Sequence, residues 1–199
     1  MKVAIIKYNA GNIMSVDYAL QRLGIKATVT DDIDEIKAAD RVIFPGVGEA
    51  STTMKYLKSR NLDKLLIDLK QPVLGICLGL QLMCRFSEEG NTKCIGIFDE
   101  EVKKFSPDTL QNGRIKVPHM GWNRNYNLKS KLFEGDMHDQ YTYFVHSYYA
   151  ATGSDTIAFC DHGITFSSAL HRDNYYATQF HPEKSSKTGS QILKNFIDL

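Results

Sequence analysis

The chain predicts an α/β fold with a mixed, largely parallel central sheet. Its first half alternates short apolar strands with amphipathic helical segments, and its second half is a run of strand patterns closed by one helix. A third observation is local. Gly75-Ile76-Cys77-Leu78-Gly79 follows the apolar run Val73-Leu74 directly and passes straight into helical sequence. A strand ending in Gly-x-Cys-x-Gly before a helix is a nucleophile elbow, a turn so tight that side chains two residues either side would clash.

The elements follow in order. Residues 2–7 form an apolar strand. Ile13, Val16, Ala19, Leu20 and Leu23 recur at helical spacing, and Gly24 closes that helix. A strand over 26–29 and a short amphipathic helix over 33–38 come next. They are followed by a strand over 41–44, helical segments around 54–57 and 62–69, and a strand over 73–76. The elbow helix is expected from Leu78 to about Phe86. Beyond it, strands are expected over 102–105, 114–117, 141–146, 156–160, 165–170 and 175–180, then a helix over 190–197. Strand–helix alternation implies right-handed crossovers, with a site at the carboxyl ends of the strands. The loop over 8–12, the Pro45-Gly46-Val47-Gly48 turn and Cys77 all lie at such ends.

Bulk properties bound the function. At 199 residues the chain suits a single domain spanning 1–199, and no linker, repeat or low-complexity segment divides it. Its 24 basic and 23 acidic residues leave a net charge of +1 and no basic stripe, which argues against nucleic acid as a partner. No apolar run approaches membrane-spanning length. Cys77, Cys84, Cys94 and Cys160 form no Cys-x-x-Cys pair, and there is no His-Glu-x-x-His, so neither structural zinc nor a disulfide framework is expected. A reactive thiol and an N-terminal apolar stretch too short for a signal peptide point to the reducing cytoplasm.

The chemistry starts at Cys77. A cysteine at a helix N-terminus meets backbone N–H groups and the positive end of the helix dipole, which favour thiolate over thiol. Six histidines are available as its base: His119, His138, His146, His162, His171 and His181. His181 stands out because it opens His181-Pro182-Glu183 after a strand-like run. Pro182 biases His181 toward extended backbone, where residues i and i+2 share a face, so His181 and Glu183 point the same way. That is the arrangement of a Cys-His-acid triad. The acid orients one imidazole nitrogen and the other serves the thiol. An oxyanion hole needs the N–H of Leu78, the residue after the nucleophile, and a second donor from a close-approaching loop, for which Gly46-Val47-Gly48 is the candidate. Gly46-x-Gly48 only half-resembles a dinucleotide fingerprint, since Ser51 stands where the third glycine belongs.

Taken together, Gly75-Ile76-Cys77-Leu78-Gly79-x-Gln81 and His181-Pro182-Glu183 resemble the signatures of the class I (triad) glutamine amidotransferases, in order and over essentially the whole chain. A narrower resemblance is to the glutaminase subunits of imidazole glycerol phosphate synthase. It rests on Tyr8-x-x-Gly11-Asn12-x-x-Ser15, Pro45-Gly46-Val47-Gly48, Pro118-His119-Met120-Gly121-Trp122-Asn123, Phe144-Val145-His146-Ser147-Tyr148 and His181-Pro182-Glu183-Lys184-Ser185. The resemblance implies a three-layer fold, no cofactor, and hydrolysis of glutamine to glutamate and ammonia by Cys77, His181 and Glu183. Gly48, Gln81, Ser147 and Tyr148 would hold the substrate. The ammonia would pass to a separate (β/α)8-barrel cyclase subunit of the HisF type, making a heterodimer. Asn12, His119, Met120, Trp122 and Lys184 are the candidates for the docking face, with residues 118–123 read as a Gly-hinged loop.

The chain departs from the pattern in two places: at Lys7, where an acidic residue is common, and at Glu49-Ala50 after Gly48, where small and aromatic residues are more usual. Neither touches the triad motif, and both bear on the rim or gating of the oxyanion loop. Rival readings are a glutaminase for another synthase, such as a polysaccharide-sugar paralogue or pyridoxal phosphate synthase, and a γ-glutamyl or thiol hydrolase acting alone. A non-enzymatic binding module would have no use for the elbow cysteine, the His-x-Glu pair and two oxyanion donors together.

Overall fold

Residues 1–8, 12–106, 115–135, 137 and 141–199 are described by the computed structural model. The first half reads β1 (Val3–Ile6), α1 (Ile13–Arg22), β2 (Ala27–Thr30), α2 (Ile33–Lys37), β3 (Arg41–Gly46), α3 (Ala50–Ser59), α4 (Leu62–Asp68), β4 (Val73–Cys77) and α5 (Leu78–Met83). The second half reads β5 (Phe86–Ser87), β6 (Thr92–Lys93), β7 (Glu101–Lys104), β8 (His119–Arg124), β9 (Tyr141–His146), β10 (Tyr148–Ala150), β11 (Thr156–Asp161), β12 (Thr165–Arg172), β13 (Tyr175–Thr178) and α6 (Ser186–Asp198).

Five strands make a continuous parallel block in the order β2-β1-β3-β4-β13. The sheet continues antiparallel through β12, β10 and β7, then parallel from β7 to β5, which pairs β6 antiparallel, with β11 antiparallel to β12. Strands β8 and β9 form a separate antiparallel pair. Period-two alternation sorts the core into two layers. Ala4, Ile6, Val42 and Phe44 pack with Met54, Leu57, Leu65 and Leu66 of α3 and α4. Val3, Ile5 and Ile43 pack on the opposite face with Val16 and Leu20 of α1 and Ile192, Leu193 and Phe196 of α6. Each large side chain so buried contributes roughly 1.5–3 kcal/mol. Together these give the expected three layers, helices on both faces of a mixed sheet.

The structure departs from the sequence reading in four places. The elbow helix ends at Met83 instead of about Phe86. Backbone N–H groups of Ile95, Gly96, Ile97 and Phe98 bond the carbonyls of Leu82, Met83 and Cys84, so a neighbouring segment takes the acceptors a longer helix would use. Residues 118–123 are no hinged loop, because His119–Arg124 is a strand in register with Tyr141–His146. The strand expected over 114–117 is absent at 115–117, and Arg114 lies outside the described residues, as do Gly11 and His138. Finally, α6 starts at Ser186. Its first turns are polar and include Gly189, where a side chain would collide with the Pro182 carbonyl, so the apolar period shows only later. Among the described residues no helix is long and apolar enough to cross a membrane.

Candidate active site

The elbow has the geometry its glycines require. Cys77 ends β4 in a conformation uncommon for a residue with a Cβ, φ 55° and ψ −107°, and α5 begins at the next residue. A Cβ on Gly75 would lie 2.6 Å from Met83 Sδ and 3.1 Å from the Gly79 carbonyl carbon, and one on Gly79 would collide with the Phe44 carbonyl oxygen. Cys77 is 6% exposed. Cys84, Cys94 and Cys160 are also free but buried; burial pushes Cys94 and Cys160 up to about 12 and Cys84 well above its ordinary value. These three are inert beside Cys77.

His181 and Glu183 follow β13, which lies directly beside β4 in the sheet. His181 is extended (φ −97°, ψ 94°), and residues Pro182–Lys184 form a single 3-10 turn. Glu183 therefore reaches back from a turn, not along a strand. Its Oε1 still accepts a 2.7 Å hydrogen bond at His181 Nδ1, inside a buried pair. Strand β9 anchors this segment, because the His181 N–H donates to the Tyr143 carbonyl (2.9 Å) and Ser185 Oγ bridges the His181 carbonyl to the Tyr143 N–H. The remaining imidazole nitrogen, Nε2, is buried without a formed hydrogen bond. Burial would lower the His181 imidazole. The Cys77 sulfur and the Glu183 carboxylate outweigh it and hold the ring up at about 10. Sulfur and imidazole thus favour each other while the contact at Nε2 stays loose, as is common in unliganded sites.

Asn12, expected on the docking face, lies beside the His181–Glu183 pair. Its Nδ2 donates to Glu183 Oε1 and lies 3.4 Å from His181 Nδ1. The half-buried Asn12 amide is spent on orienting the acid.

A cavity of about 340 Å3 opens on Cys77 and His181, within the range of small-molecule clefts. Val47, Gly48, Leu78, Gln81, Ser147 and Tyr148 line it, bringing together the expected substrate residues and most of the oxyanion candidates. Gly46 is the exception. It sits opposite Cys77 in the β3–β4 register, packed so closely on Leu78 and Gly79 that no side chain fits, and its role is close approach. Tyr8 was legible only as part of a loop motif. Its buried hydroxyl donates to the Pro45 carbonyl (2.5 Å) and pins the turn over 45–48; burial and the Cys77 sulfur raise its pKa, so it stays a donor. Glu89, also unforeseen, lines the cavity and accepts from the Ala50 N–H (2.8 Å).

Of the docking candidates, Met120 (59% exposed) and Trp122 (53% exposed) stand out from β8, and Lys184 is exposed. Trp122 and Lys184 line a broader depression of about 570 Å3 together with Arg22, Glu183, Lys187 and Lys194. His119 does not belong to that face. On a strand its side chain alternates inward, where it bonds His146 (Nδ1 to Nε2, 3.0 Å) and stacks on His162 and Phe144. Lys7 has an exposed side chain. Glu49 caps α3, accepting from the Thr52 N–H and Ser51 Oγ (both 2.9 Å), and these bonds hold its carboxyl down at about 2. Gln179 was read only as a strand residue. It is fully buried, and its amide lies 3.8 Å from Cys77 Sγ. The available signal was a polar side chain in an apolar run two residues before His181. Among the described residues no cluster of His, Cys, Asp or Glu could hold a metal ion.

Known proteins resemble this chain along its whole length. The family described as glutamine amidotransferase class-I matches residues 4–199. An imidazole glycerol phosphate synthase subunit HisH from Bacteroides fragilis is 61% identical over 199 residues, covering all of both chains. Proteins of the same name from Bacteroides thetaiotaomicron (59%, all of both chains) and Mannheimia succiniciproducens (44%, 98% of each) are similar along their length. Among solved structures, a putative GMP synthase component from Thermoplasma acidophilum shares the fold with a TM-score of 0.74 at 21% identity, over all of this chain and 92% of its own. The chain belongs to the class-I glutamine amidotransferase family, with HisH proteins as full-length relatives.

Proposed function

We propose that the chain is the glutaminase subunit of an imidazole glycerol phosphate synthase, and that the whole of it acts as one amidotransferase domain. The observation that carries this reading is the elbow cysteine, Gln81 and the Glu183-bonded His181 sharing one cavity, with Glu183 behind the ring, on a chain alike to HisH proteins from end to end. Cys77 thiolate attacks the side-chain amide carbon of glutamine. The N–H groups of Leu78 and of the Val47–Gly48 turn stabilise the oxyanion; one such donor is worth roughly 3–4 kcal/mol. His181, oriented by Glu183 and Asn12, gives its proton to the departing ammonia. The same ring then takes a proton from water, which cleaves the γ-glutamyl thioester and releases glutamate and Cys77. Gly48, Gln81, Ser147 and Tyr148 hold the substrate.

Ammonia reacts only while unprotonated, so it needs a dry path to its acceptor. The partner is a (β/α)8-barrel cyclase that closes over the site and uses the ammonia in making imidazole glycerol phosphate. Met120, Trp122 and Lys184 form the docking face. The loose Cys77–His181 contact fits a resting state that docking completes through movement of the Val47–Gly48 turn. Four free cysteines suit the cytoplasm.

The test is glutamate release by the purified chain, alone and with a histidine-pathway cyclase barrel plus its nucleotide ligand. Activity that appears only with the barrel is the expected result, and Cys77→Ala should abolish it while sparing complex formation. Activity indifferent to the barrel would move the chain to another pathway. No glutamate in either case would remove the triad reading.

A further inference from the structure

Behind the cavity runs a buried chain of hydrogen bonds whose direction is dictated at one end. Gln81 Nε2 lies 2.9 Å from the Tyr148 carbonyl and 3.0 Å from Gln179 Oε1, and Gln179 Nε2 lies 3.8 Å from Cys77 Sγ. A backbone carbonyl only accepts, so Gln81 must face Tyr148 with its NH2. That same NH2 meets Gln179, which must answer with its carbonyl oxygen. The NH2 of Gln179 is then left pointing at the sulfur. Turning either amide over would set oxygen against oxygen or NH2 against NH2 between two buried side chains, where unpaired polar groups are costly. The node itself is held twice, because His146 Nδ1 also donates to the Tyr148 carbonyl (2.7 Å).

We propose that Gln179 is a catalytic residue that stabilises the Cys77 thiolate through its Nε2–H, with the donor's direction set by the Tyr148 carbonyl through Gln81. Neutral thiol sulfur is a weak acceptor and thiolate a strong one, so the bond favours the ionised nucleophile. This assignment rests on Cys77 being the nucleophile of the proposed glutaminase. Gln179 does not line the cavity, so its effect should fall on turnover and spare glutamine binding.

The experiment uses the full chain carrying Gln179→Met, which keeps length and volume but removes the donor. The pH dependence of Cys77 alkylation by iodoacetamide is read by peptide mass mapping, and kcat and KM for glutamine are measured with the cyclase present. The midpoint of alkylation should rise by about one pH unit, and kcat should fall roughly tenfold to a hundredfold with KM unchanged, as expected for losing a hydrogen bond to a charged group. Should the Met variant misfold, Gln179→Glu replaces the NH2 with an oxygen at the same position and should show the same changes. An unmoved alkylation midpoint in a folded variant overturns the proposal. A raised midpoint in a chain that never hydrolyses glutamine would uphold the thiolate donor and defeat the glutaminase reading instead.

Discussion

Acid should unfold this protein through its buried histidine pair. Burial holds His119 at about 4 and His146 at about 3, against 6.5 for an ordinary histidine. The geometry explains why. His146 spends its Nδ1–H on the Tyr148 carbonyl and accepts from His119 with Nε2, so a proton on Nε2 would set two N–H groups 3.0 Å apart against each other. His162 and His181 face the pair and disfavour a further positive charge on it, and Phe105, Phe144 and Phe166 supply no acceptor. Because both folded values are depressed, the unfolded chain binds more protons across this window and stability rises with pH. The contribution is complete above about pH 6.5 and is lost as pH falls toward about 4 and about 3. At pH 5 each histidine is about 1.5 units below its unfolded midpoint, which at about 1.36 kcal/mol per unit removes about 2 kcal/mol per residue. Glu89 and Glu100, raised by burial, act in the opposite sense, so the measurement must be a difference. Urea unfolding at pH 7.5 and pH 5 should show wild type losing about 2 kcal/mol more than His146→Phe, whose ring suits the same aromatic cage. Any fixed cost of the substitution cancels in that slope. Equal losses in the two proteins would refute the account of the pair.

Two further outcomes follow from the site. Gly79→Ala drives a methyl into the Phe44 carbonyl, a backbone atom that cannot step aside, and should cost about 1–3 kcal/mol in thermal unfolding together with glutaminase turnover; an unchanged melting temperature would show that the elbow has slack. Trp122→Ala should weaken binding of the cyclase barrel by about 2 kcal/mol or more, with a smaller loss for Lys184→Ala, both measured by calorimetry. Unchanged affinity in both would move the docking face elsewhere.

Much was legible from residue order alone. Alternating apolar runs gave the strands and layers, because burial on two faces forces period two in a strand and about 3.6 in a helix. The Gly-x-Cys-x-Gly turn and the His-Pro-Glu triplet carried the site because their geometry is local: a φ of 55° at Cys77 and the reach of Glu183 to His181 span a few residues. Tertiary structure alone decided the remainder. Where α5 stops depends on N–H groups from 95–98, more than ten residues onward. Whether residues 119–124 hinge or pair depends on β9, and that pairing turned His119 inward and left Trp122 outside. Asn12 reaches Glu183 across 171 positions, and Gln179 reaches Cys77 across 102. Such contacts leave no periodic trace in the sequence, since a hydrogen bond between distant side chains exists only once the sheet has brought their strands together.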